Sequence, residues 1–152
     1  MTRLHLLHLI WLYGGNVLAL LIGIWALWRG GKTERLGTVV LWGGWIATPL
    51  VQTPHAGIDI GILIVDLIVT AGFFWLSLTS RKLWMAFATA FMVMAVASHF
   101  APLLTRYVSL YVYITANGFW GGLAVLGAFL AGMLQVEKER HKARPLRRVS
   151  AR

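Results

Sequence analysis

Read only for apolar and polar positions, the chain is five apolar runs separated by short polar breaks. The runs cover about 4–28, 36–51, 60–79, 83–99 and 107–134. The breaks are the basic, glycine-containing 29–35, a loop at 52–57 with Pro54 and His55, Ser80-Arg81-Lys82, and a connector after Phe100-Ala101-Pro102. A bilayer core needs roughly 17–25 mostly apolar residues per helix, which four runs supply and the second nearly does. The pattern predicts an all-α bundle of five transmembrane helices over 1–134, followed by a basic tail over 135–152. Asp59 stands where the third helix begins, and an acid there suits a helix N-terminus. The tail is expected to extend the last helix as far as Pro145 and to fray beyond it.

Composition supports lipid as the solvent. Hydrophobic residues make up 59% of the 152 and charged residues 12%. A soluble domain carries about 25% charged residues. The first run is read as a retained helix rather than a signal peptide, because it is too long for one and no small-residue cleavage site follows. Cysteine is absent, so disulfides, thiolate metal sites and cysteine nucleophiles are excluded.

Charge gives the expected orientation. Twelve of the 14 Lys and Arg residues fall in 29–35, at Arg81-Lys82 or in the tail, leaving Arg3 and Arg106 for the opposite side. Short basic loops stay cytoplasmic, so the N-terminus is placed outside and the C-terminus inside an inner (plasma) membrane. Trp25, Trp28, Trp42, Trp75 and Trp84 lie near the cytoplasmic helix ends and read as an aromatic belt. Orientation and anionic lipid at the inner leaflet account for the net charge of +9, and no nucleic-acid role is expected.

Small residues recur every four positions. Gly15, Ala19 and Gly23 mark one face of the first helix, Gly57 and Gly61 the entry to the third, and Gly118 and Gly122 the last. This spacing lets helices approach closely and predicts contacts with neighbouring helices.

The strongest chemical candidate is Asp66, a carboxylate about two helical turns inside an apolar run. Such a group costs about 2.5–3.5 kcal/mol at the centre of a membrane helix, and it marks either a proton, ion or solute site or a polar clamp between helices. A protonated Asp66 could serve as a simple hydrogen-bond donor to Asn16, Asn117, His99 or Arg106. His99 closes the fourth run. It reads either as an interfacial histidine bonded to a carbonyl or, with His5, His8 or His55, as a weak metal or haem ligand candidate. His5 and His8 are three apart, on one helical face.

Asp66 in an apolar helix, Ser80-Arg81-Lys82-Leu83-Trp84 at a turn, Ser98-His99 closing the next helix, Tyr111 beyond the outer loop and Trp120 in the last span form a set. On these residues the run from 57 to about 132 resembles a family of small uncharacterised polytopic inner-membrane proteins of alphaproteobacteria. The family's usual turn has proline directly after the tryptophan, where Met85 stands here. The resemblance implies a compact multi-span protein with a recurrent Asp and His, and it implies no activity.

No phosphate loop, zinc-protease motif or nucleophile triad is present, so no enzyme is expected. Three functions remain open. The first is a non-catalytic accessory subunit of a larger inner-membrane complex, contacting other integral membrane subunits through its glycine faces, with bound lipid and no cofactor. The second is a small proton, ion or solute carrier using Asp66 with His99. The third is a haem- or metal-binding electron-transfer subunit.

Overall fold

Two glycines, rather than a seven-residue polar turn, separate the first two helices. α1 (Arg3–Arg29) ends at Gly30, and α2 (Lys32–Val51) starts after Gly31. The Glu34 carboxylate accepts the Gly31 N–H at 2.9 Å and so satisfies one of the donors a helix start leaves unpaired. That draws Lys32–Arg35 into the first turn of α2. Pro49 falls in the last turn of α2, where its missing donor costs little.

α3 (Ile60–Ser80) begins at Asp59, whose Oδ1 accepts the N–H groups of Gly61 and Ile62 at 3.0 and 3.2 Å. Asp59 Oδ2 also accepts the Thr53 N–H at 2.8 Å, tying the end of α2 to the start of α3. At its far end Arg81 takes a left-handed conformation, φ 53°, which stops the helix. α4 (Leu83–Ser98) follows, then a turn at His99 and Phe100 and a single helical turn, α5 (Ala101–Leu104). Helix resumes at 116–118, widens into a π-helical stretch over Phe119–Ala124, and continues as α6 (Val125–Val149). Thus α6 passes through Pro145 instead of fraying there.

The computed structural model describes residues 3–53, 58–104 and 116–149, and for 3–12, 102, 104 and 144–149 it describes the backbone path alone. Among the described residues there is no strand, and the chain is an all-α bundle. Two helices are long and apolar enough to cross a membrane: α3, with a mean hydropathy of 2.1, and Ala116–Ala143, with 1.7. α4 is apolar but shorter.

α3 packs between α2 and α4, α4 against the π stretch and α6, and α1 against α2 and α6. The core is a stack of Leu41, Phe73, Met85, Leu126, Phe129 and Met133, all fully buried. The inner stripe of α3 runs Ile62, Asp66, Val69, Phe73, Leu76, at alternating steps of four and three. The inner stripe of α4 runs Met85, Ala88, Met92, Ala95 and reaches His99 at the next step. Helical spacing therefore points Asp66 and His99 into the same interior. The opposite face of α3 exposes Ile64, Ile68, Phe74, Trp75 and Leu78. That is an apolar outer surface of the kind a membrane or a protein partner covers.

The tryptophans do not all form the expected belt. Trp28 and Trp75 are exposed, but Trp84 is buried edge-on against Phe129, ring centroids 4.8 Å apart. Gly132 makes room for the Trp84 indole: a Cβ there would lie 2.6 Å from the ring. Trp42 also turns inward and donates its Nε1–H to the Ala19 carbonyl at 3.2 Å. An indole on a helix face with a glycine opposite gains more contact inside the bundle than at its rim.

Candidate functional site

The inward stripes of α3 and α4 meet at an acid–base pair. His99 Nε2 lies 2.9 Å from Asp66 Oδ2. His99 is fully buried within the bundle, while the Asp66 side chain keeps 15% of its surface open. Asn117, in the turn before the π stretch, places its Nδ2 3.5 Å from His99 Nε2, and its Oδ1 is buried without a hydrogen-bond partner among the described residues. Asp66 Oδ1 takes no hydrogen bond from the described residues either.

One ring nitrogen facing both an acid and an amide has two consistent arrangements. If Nε2 carries hydrogen, it donates to the Asp66 carboxylate, and Asn117 must turn its oxygen toward the ring. If Nε2 is bare, the proton sits on Asp66, and either the Asp66 hydroxyl or the Asn117 amide donates to the ring's one lone pair. The location of a single proton is thereby tied to the Asn117 amide.

The pair borders a cavity of about 510 Å³ between α1, α2, α3, α4 and the π stretch. Asp66, Asn16, Thr48, Gln52 and Asn117 supply its polar wall, and Trp45, Leu41, Val69 and Met92 supply much of the apolar one. Gly15, Gly118 and Gly122 also line it. A Cβ on Gly118 would meet nothing within 4 Å, and one on Gly15 or Gly122 would only reach the Trp45 ring, at 3.9 and 4.0 Å. These three glycines therefore do not make the close helix contact within the bundle that their spacing predicts. They leave space in front of Trp45. The π stretch contributes too, since its wider turn carries Gly121 and Gly122 at the cavity wall, and such bulges often accompany functional sites.

The remaining small residues do pack closely. Gly23 and Ala19 receive Trp42, and Gly61 lies against the Val51 carbonyl. Asn16 lines the cavity. Arg106, Gly57 and His55 lie outside the described residues, and His5 and His8 are on α1 with no description of their side chains. Among the described residues no three His, Asp or Glu side chains gather as a metal set, and His99 directs Nε2 to Asp66.

A second acid–base pair occupies the other end of the bundle, and its acid was not singled out as a candidate in the sequence. Glu34 is fully buried; its Oε1 lies 2.6 Å from Lys82 Nζ and its Oε2 holds the Gly31 N–H. Nearby, Arg29 Nε is 2.9 Å from Glu137 Oε1, linking α1 to α6.

Fold and site together define a class: an all-α helical bundle with a carboxylate on the wall of an interhelical cavity, paired with a buried imidazole behind it. No known protein family, curated protein or solved structure matches the chain.

Proposed function

We propose that the chain is a multi-pass inner-membrane protein with five spans, N-terminus outside and C-terminus inside, that acts as a small proton-coupled carrier. The membrane reading is supported by two helices of spanning length and by the apolar outer face of α3. The orientation is supported by the segregation of Lys and Arg. In that frame Asp66 and the cavity lie in the outer half of the membrane. A reporter fused after Arg152 should be active only in the cytoplasm; activity on the outer side would overturn the topology.

The observation that carries the functional reading is the Asp66–His99 pair at 2.9 Å, with one carboxylate oxygen left open beside a cavity. Intramembrane ionisable residues that face a cavity mark ion and proton pathways. Below the pair the interior is closed by Phe73, Met85 and Leu126, so passage needs a conformational change rather than an open pore. In proteoliposomes carrying a pH gradient, the wild-type protein should dissipate the gradient and Asp66→Asn should not. Equal rates for the two would remove Asp66 from the mechanism.

The accessory-subunit reading assigns its contacts to small residues that, within the chain, already have another setting. Ala19 and Gly23 are occupied by Trp42 within the chain, and Gly15, Gly118 and Gly122 face the cavity. The haem or metal reading has no ligand set among the described residues to support it.

A further inference from the structure

We infer that the cavity beside Asp66 binds an amphipathic organic amine, with its ammonium on Asp66 and its apolar body against Trp45. The inference rests on the carrier reading and names the class of solute. Three features of the cavity select that class.

The first is charge. Among the described lining residues Asp66 is the one ionisable side chain, and no Lys, Arg or His stands on the wall. An anionic head would meet the Asp66 carboxylate with no cationic side chain among the described lining residues. A cationic head meets an acceptor whose Oδ1 receives no hydrogen bond from the described residues. An ammonium brings three N–H donors, and a charge-assisted bond to a carboxylate is about twice as strong as a neutral one.

The second is a further acceptor on the polar wall, beside the Asn16, Gln52 and Asn117 amides that can either donate or accept. Thr48 spends its hydroxyl hydrogen on the Gly44 carbonyl, at 2.9 Å, so toward the cavity it can only accept. With Asp66 Oδ1, that makes two acceptor positions on neighbouring helices, α2 and α3. A head rich in donors satisfies both.

The third is shape. The volume, about 510 Å³, falls in the range of sites for drug-sized molecules, roughly 300–1,000 Å³. It is far more than a bare metal ion or proton requires. Trp45 gives the cation an aromatic face, and Leu41, Val69 and Met92 give the body an apolar one. Gly15 and Gly122 keep the Trp45 ring uncovered, since side chains there would stand in front of it.

The test uses three probes with one body and different heads: 4-phenylbutylamine, 4-phenylbutanol and 4-phenylbutyrate. Binding to the full chain in lipid nanodiscs is measured by equilibrium dialysis against empty nanodiscs. The amine should bind at least tenfold more tightly than the alcohol, and the carboxylate should not bind above the empty discs. Asp66→Asn should reduce the amine to the level of the alcohol. Gly122→Leu, which fills the cavity without touching Asp66, should abolish both. Equal binding of all three probes, or amine binding unchanged in both variants, would overturn the inference. If Asp66→Asn fails to fold, Gly122→Leu and the three-probe ranking on the wild type still decide it. An Asp66-dependent proton flux without amine preference would leave the carrier reading standing and refute the ligand class. Amine preference without proton flux would do the reverse.

Discussion

Among the described residues two acid–base pairs have a fully buried member, one toward each end of the bundle, and they differ in what is left unsatisfied. Glu34 is fully buried and both its oxygens are used, one by Lys82 Nζ and one by the Gly31 N–H. Asp66 uses one oxygen on His99 and keeps the other beside a cavity. The first pair joins the start of α2 to the turn between α3 and α4. Its base is a flexible lysine, 36% exposed, that can turn to water when released. The second pair has a fully buried imidazole as base. Similar components thus give one pair with a partner on each carboxylate oxygen and another with one oxygen open beside a cavity.

Stability measurements can break or sharpen that contrast. The largest loss should come from Lys82→Met, which leaves the Glu34 carboxylate buried with a single backbone donor. Removing one partner of a buried pair costs about 3–5 kcal/mol, and the partial exposure of Lys82 places this case near about 3 kcal/mol. Glu34→Gln should cost less, about 1 kcal/mol, because the amide keeps the Gly31 bond and Lys82 moves into water. Asp66→Asn should cost least, under about 1 kcal/mol, since the amide can still bond His99 and its other atom faces the cavity. Thermal melting of the three variants in one detergent gives the ranking. A melting point for Asp66→Asn below that of Lys82→Met would mean that the Asp66–His99 pair is itself a clamp.

Much of this was legible in the chain. The first four apolar runs marked α1 to α4 to within about four residues, and Asp59 marked the start of α3. Asp66 and His99 stood out as polar groups in apolar helices. Their meeting follows from the three–four stripes that carry Asp66 inward with Val69 and Phe73 and His99 inward with Met92 and Ala95. Glu34 was not legible as a buried group. It sits among Arg29, Lys32 and Arg35 and reads as part of a solvated turn; its burial depends on α2 starting at Lys32 and on a lysine 48 residues away. The cavity was hidden for a related reason. Glycines four apart serve a tight helix contact or an open wall equally well, and what separates the two is the placement of one ring, Trp45, in front of Gly15 and Gly122. The π stretch left no pattern in the sequence, since one wide turn does not disturb the apolar run around it.

The central claim, that Asp66 is an open working carboxylate and Glu34 a closed structural one, is tested most directly by chemical labelling. The membrane-embedded protein would be treated with a hydrophobic carbodiimide, which modifies carboxyl groups it can reach from the apolar phase, and the modified residues read by mass spectrometry. The account predicts labelling at Asp66, reduced when 4-phenylbutylamine is present, and none at Glu34. Labelling of Glu34 to the same extent as Asp66, or of Glu34 alone, would contradict it.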